Sequence, residues 1–533
     1  MSKENTYPHR LRLWLAGRDK PRKRLWLIAG ALIFIWWMLT FLACYPGTTT
    51  PDSLESIRQL VGIEVWQNHT TLAYTLLVAI PFMPGYLLGG EGVSGMELGV
   101  AFNSLFQMVY LSVLFGYVCW WLRVKGAPRW AGIVVLGFFA LNPIIARYAV
   151  TMWKDIPFSA GFLLLTTMLY DVVESRGASL HKIRNLVGLG LLCIFLILLR
   201  KNGLIVVVPT FLVLAFFYRL ERPLLFRIIG TLILSMALSL GISGPLYSAM
   251  GVQPAHFAET VSIPLQQIAR VINTDGNLTQ DQQAFLEQIM PLEAWAENYN
   301  PRTPDYIKFN EAFNNQFLDE HRGEFLSMWL KIGLQNFGVY ATAWRFTTEG
   351  YYNPLAINWI IERSTGIDAP LYSPLDVTSP RPGAEAKFPE WLSVPGTNLL
   401  VEWTGIQEFN VFVFSTPSFM LDFFYVYPLF NIAVMVYLSL ASAVVVFLRC
   451  GRLKKKKISI NLNSTENISA YKPQTDLWQN KRRYLIIYLP LLMLWLSMLV
   501  SAPAFSEFRY MFSFHLCLPL VFLVPFLPFL KKK

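Results

Sequence analysis

Four groups of charged residues sit where an otherwise apolar chain has little reason to keep them. Asp52 lies in YPGTTTPDS (45–53), directly after a long apolar run. Gly47 and Pro51 break the helix there, and a short helix is expected from Ser53 to Gly62. Lys154 and Asp155 stand in WKDIPF (153–158), in a short turn between two apolar stretches. Arg200 and Lys201 open RKNG (200–203), followed by Asn202, again between two apolar stretches. Glu507, Arg509 and Tyr510 precede the last apolar run. His69, in WQNHTTLAY, is a fifth, isolated polar group. Each has a structural reading beside a chemical one. Asp52 could serve only as a helix N-terminal charge. Lys154 could pair with its neighbour Asp155, and Glu507 with Arg509. Arg200 and Lys201 could snorkel to headgroups, and His69 could be an interface hydrogen-bonder. Together, two carboxylates and several cations at one membrane surface suit a reaction on a lipid-phosphate substrate.

The elements that must position these groups are membrane helices. Apolar residues make up 54% of the 533-residue chain and charged residues only 15%, against about 25% in soluble domains. Mean hydropathy is +0.41. Soluble, disordered and coiled-coil classes are excluded, and an all-α polytopic membrane protein is expected. Ten spans are expected, near 25–44, 97–122, 129–149, 156–173, 183–199, 203–218, 227–248, 424–448, 484–502 and 510–530. The stretch 70–88, interrupted by Pro81 and Pro84, reads as a partly embedded juxtamembrane helix on the outer side. Charge supports this: with 70–88 not crossing, 30 of the 45 Lys and Arg fall on the cytoplasmic side, as the positive-inside rule requires.

The expected organisation follows. A basic cytoplasmic N-terminus covers 1–24, and a transmembrane module covers 25–248 with its first outer loop at 45–96. An extracytoplasmic loop domain covers 249–423, with amphipathic helices over 304–321 and 324–340. A single span at 424–448, a basic cytoplasmic linker at 449–483 and a C-terminal pair at 484–533 complete the chain. Both termini are expected in the cytoplasm of a multi-pass cytoplasmic-membrane protein, with the active site on the outer face. The KKKK run at 454–457 reads as juxtamembrane topology, so no nucleic-acid partner is expected. Cys44, Cys119, Cys193, Cys450 and Cys517 lie in or beside apolar segments and read as packing residues, with no metal-ligand spacing.

The order of the motifs resembles the GT-C superfamily of integral-membrane glycosyltransferases, which includes protein O-mannosyltransferases and the aminoarabinose transferase of lipid A. The likeness rests on YPGTTTPDS (45–53), HTTLAYT (69–75), WKDIPF (153–158) and RKNG (200–203), and covers roughly 25–250, with a looser echo at Arg509-Tyr510. It implies Asp52 as the catalytic carboxylate, Asp155 as a second acidic position, embedded helices over 70–88, and a polyprenyl-phosphate-linked sugar donor. Many relatives follow the histidine with prolines, whereas this chain has Thr70-Thr71. Some members of the superfamily use a divalent metal, which two carboxylates could hold; nothing else in the sequence asks for one, and no cofactor is expected.

In chemical terms, Asp52 would deprotonate the attacking hydroxyl of a glycan, lipid or protein acceptor. Lys154, Arg200, Lys201 and Arg509 would stabilise the departing phosphate. Asp155 would orient Lys154 or the acceptor, and a single displacement would invert the anomeric centre. His69, Asn202, Glu507 and Tyr510 are candidate substrate contacts. A lipid-linked glycan polymerase or ligase shares many of these features. A transporter would place ionisable residues within its spans, and these spans are nearly charge-free.

Overall fold

The computed structural model describes residues 17, 21–90, 92–356, 399–404, 430–455, 483–501, 505 and 507–527. Among the described residues the fold is helical, with two isolated β-bridges and no strand. Most of 1–24, residues 357–398 and 405–423 of the outer loop, residues 424–429 of the eighth expected span, and 456–482 of the basic linker lie outside the described residues.

Helix α1 (Leu25–Ala43) ends at Tyr45-Pro46-Gly47. Gly47 has φ +133°, and a Cβ there would lie 2.0 Å from Ser104 Oγ, so this turn needs glycine twice over. Helix α2 (Pro51–Leu60) starts with Pro51 in its first turn and a capping box between Thr50 and Ser53. It is the short helix expected after Asp52. Helix α3 (Leu72–Gly89) runs through Pro81 and Pro84. It is the helix expected over 70–88, and its buried face includes Val78, Phe82 and Gly85.

That neighbour, α4 (Val93–Val124), is 32 residues long and holds both earlier long helices. Its inner part meets α1 so closely that a Cβ on Gly116 would lie 2.3 Å from Trp26 O. Small residues permit this approach between membrane helices. Its first turns meet the end of α3, where a Cβ on Gly85 would lie 2.4 Å from Leu98 O. Since α1 ends beside Ser104, α3 packs on an overhang of α4 that extends past α1.

Helices α5 (Arg129–Leu141) and α6 (Pro143–Ala149) are bent by 55° at Asn142, whose Oδ1 accepts from the Ile144 and Ile145 amides. Then follow α7 (Asp155–Glu174), α8 (Ile183–Leu199), α9 (Asn202–Phe217) and α10 (Arg222–Gly241), which continues to Ala249. Near the C-terminus stand α17 (Ile432–Lys455), α18 (Leu489–Ser501), entered through a 3-10 turn at Arg483–Tyr488, and α19 (Phe512–Leu523), entered through a 3-10 turn at Phe508–Met511. The membrane core runs from Trp37 and Phe115 through Phe158 to Leu516.

By length and apolarity, seven helices among the described residues can cross a bilayer, or eight if α5 and α6 form one bent span. The set includes α3, which the charge pattern holds outside. It omits three of the ten expected spans: α8, α9 and the Phe508–Leu523 segment are apolar but short. At 16 residues, α9 measures ~24 Å, less than a full hydrocarbon core. Four cysteines, Cys44, Cys119, Cys193 and Cys517, are buried free thiols.

Between α10 and α17 stands a second, separate core. Helices α11 (Ser262–Asn273), α12 (Gln280–Ile289), α13 (Leu292–Glu297), α14 (Asn315–Glu320), α15 (Arg322–Gln335) and α16 (Phe337–Thr348) enclose Leu265, Leu286, Trp295, Ile307 and Phe325. The two amphipathic helices expected over 304–321 and 324–340 are each divided. Asn314 caps α14 through the Phe317 amide. Asn336, buried at the end of α15, bonds the Asn277 backbone through both N–H and C=O. Side-chain amides that satisfy backbone groups in this way stop helices.

Candidate active site

The site begins with a clasp between two loops. Thr48 and Thr151 form a parallel bridge: Thr48 N donates to Val150 O at 2.8 Å, and Met152 N donates to Thr48 O at 2.8 Å. Thr50 Oγ1 adds a bond to Met152 O at 3.0 Å. From α4, Gln107 Nε2 reaches the carbonyls of Tyr148, Ala149 and Thr151 at 2.9, 3.1 and 2.7 Å. The loop carrying Asp52 is thereby fixed against the loop carrying Lys154 and Asp155.

The clasp sets the pairings. Lys154 Nζ lies 3.6 Å from Asp52 Oδ2. Arg509 reaches the same oxygen at 2.9 Å, while its Nε bonds Glu507 and its other amino group donates to Tyr510 Oη at 3.0 Å. Its guanidinium also stacks 4.9 Å from the Trp153 ring. Asp155, fully buried at the start of α7, pairs with Arg200 at the end of α8. Arg200 faces inward, over Phe158 at 5.4 Å and Tyr510 at 5.0 Å. Its side chain is almost wholly buried, so it does not extend along the surface as a snorkelling arginine would. Lys154 pairs with Asp52 across the clasp, and the Glu507–Arg509 pair is present but extended to Asp52.

A second chain of charge runs outward from α2. Glu55, one turn beyond Asp52, accepts from Thr70 Oγ1 at 3.0 Å. His69 Nε2 lies 3.9 Å from Glu55, and its Nδ1 lies 4.0 Å from Glu259. Glu259 belongs to the outer helical unit, where Lys308 holds it at 2.9 Å and also meets Asp305 at 3.3 Å. Burial raises the Glu55 carboxyl above its ordinary value, His69 opposes this and Asp52 adds to it. The exposed Lys201 stands beside this chain. Partial burial holds its ammonium below the ordinary lysine value; Glu259 opposes the shift, and Lys154 and Lys308 add to it.

Seven expected residues, Asp52, Lys154, Asp155, Arg200, Glu507, Arg509 and Tyr510, thus form one network, and His69 and Lys201 adjoin it. Asn202 does not. Its amide donates to Ser497 Oγ on α18 at 2.8 Å, which fastens two helices. Glu55, Glu259 and Lys308 were not singled out by sequence. Of these, Glu55 carried a readable signal, because it follows Asp52 at the i,i+3 spacing of one helix face. The two carboxylates Asp52 and Asp155 are each neutralised by a guanidinium, so they do not fit a divalent ion. Among the described residues no group of three His, Cys, Asp or Glu could hold a metal.

No curated protein and no solved structure matches the chain. A family model matches residues 67–365, which takes in His69, Lys154, Asp155, Arg200, Lys201, Glu259 and Lys308 and leaves α2 and Arg509 outside. Because that match spans more than half of the sequence, the chain belongs to DUF6020, a family of unknown function.

Proposed function

We propose that this protein is an integral-membrane glycosyltransferase of the GT-C type. It moves a sugar from a polyprenyl-phosphate donor to a glycan, lipid or protein acceptor on the outer face of the cytoplasmic membrane, with both termini inside. The observation that carries the reading is the meeting of Asp52 with Lys154 and Arg509 at the end of α1, beside the exposed Lys201. A carboxylate set among cations at the end of an apolar helix suits a substrate with an apolar tail, an anionic phosphate and a reacting carbon between them. The cations stabilise the charge that develops on the leaving phosphate. A carboxylate of α2 takes the proton that the acceptor hydroxyl must lose. No step requires a metal.

The test offers radiolabelled polyprenyl-phosphate sugars at trace concentration to membranes carrying wild type or Asp52→Asn, with equal protein by immunoblot. Label entering the glycan, lipid or protein fraction with wild type and lost in the variant supports the reading. No transfer from any single-sugar donor, with an altered glycan chain-length distribution in cells, replaces it with a lipid-linked polymerase or ligase.

A further inference from the structure

Within the glycosyltransferase reading, on which this inference rests, we propose that Glu55 takes the acceptor's proton and that His69 passes it toward Glu259. Asp52 serves instead to hold Lys154 and Arg509 against the donor phosphate.

The geometry separates the two carboxylates. Asp52 Oδ2 meets Arg509 at 2.9 Å and Lys154 at 3.6 Å, so its charge is committed to cations. Glu55 lies one turn away on the same helix. Its Oε2 takes the Thr70 hydroxyl. Its Oε1 is buried, with no hydrogen-bond donor among the described residues. An ionised oxygen in that setting is poorly solvated, and a proton there is stabilised.

His69 completes the path. Its two ring nitrogens face two different carboxylates at 3.9 and 4.0 Å. A neutral imidazole carries one N–H and can serve only one of them, whereas the imidazolium serves both. Through a bridging water at each of these gaps, the ring can relay a proton from Glu55 on one side toward Glu259 on the other. The charged and titratable groups around Glu55 are Asp52 on α2, His69 in the loop before α3, Lys154 before α7 and, beyond His69, Glu259 of the outer unit. Burial and Asp52 raise the Glu55 carboxyl, the direction that suits a base working near neutral pH.

The step balances. The acceptor oxygen forms a bond to the anomeric carbon, and the bond from that carbon to the phosphate oxygen breaks with its electron pair on the polyprenyl phosphate. The acceptor proton goes to Glu55, then to His69, then outward.

The test uses the full-length protein and the same labelled donors. Glu55→Gln is expected to lower kcat by about 100-fold or more with donor KM within twofold, and Glu55→Asp to recover part of the loss. Asp52→Asn is expected to raise donor KM. The acid limb of wild-type kcat should lie above the ordinary glutamate range. It should move down in Asp52→Asn, which loses a like charge. An infrared pH titration reads the protonated Glu55 carboxyl directly, with Glu55→Gln as the blank. Unchanged kcat in Glu55→Gln, or a Glu55 band titrating no higher than an ordinary carboxyl, overturns the assignment even when wild type is active. If wild type transfers from no donor while the band behaves as stated, the glycosyltransferase reading falls and Glu55–His69 stands as a proton-handling pair of another reaction.

Discussion

Two charge clusters share one end of the helix bundle and differ in depth. Around Asp155 and Arg200, side-chain exposures are 0% and 8%, and acid and base match one to one. Around Glu55, His69 and Glu259, exposures are 17%, 30% and 20%, distances are longer and the pairing is looser. The sealed pair has no freedom to exchange partners without leaving a charge stranded in an apolar core. The looser chain has that freedom. Depth thus separates charges that hold helices α7 and α8 together from charges with room to rearrange.

The sharpest way to break this comparison is to open the sealed pair. Arg200→Leu should destabilise the protein by about 3–5 kcal/mol by stranding Asp155, read as a fall in thermal unfolding midpoint in detergent. Asp155→Leu combined with Arg200→Leu should recover most of that loss. A double variant as unstable as the single would give the pair a role beyond neutralisation. A smaller effect is expected at the clasp. Thr50→Val removes the α2 cap and the bond to Met152, costing about 1–2 kcal/mol, and should raise donor KM by shifting Asp52. Smallest in stability, within about 0.5 kcal/mol, is Lys201→Gln, which should nevertheless weaken donor affinity about tenfold at low salt. In wild type, that affinity should fall as pH rises through the depressed Lys201 value, below the range of an ordinary lysine. A pH-independent donor affinity over that range, or an unchanged affinity in the variant, removes Lys201 from the phosphate site.

The positions of these charges were legible because each interrupts an apolar run at the same end of a span. Their partners were not. Neighbours such as Lys154 and Asp155 leave a helix start about 100° apart, so one meets α2 and the other α8, and no local pattern encodes that choice. Asn202 looked equivalent to Arg200 and Lys201 in sequence, yet the first turn of α9 points it at Ser497. Glu259 and Lys308 belong to a helical unit in which Asn314 and Asn336 set helix ends, as capping or buried amides that resemble ordinary polar residues until their backbone partners are known. Helix α3 shows the opposite case, since the apolar run at 70–88 announced a helix that Pro81 and Pro84 do not break.

With 32 residues, α4 measures ~48 Å, whereas a hydrocarbon core is ~30 Å thick. The surplus stands beside α3 and the start of α2, so a rigid rod rather than the lipid sets the height of the charge cluster. On the proposed lipid-phosphate reading, headgroups move past Asp52 and Lys201 as the bilayer thickens or thins, while the two residues keep their distance from each other, and reconstitution in lipids of graded chain length should tune turnover without any change in the protein.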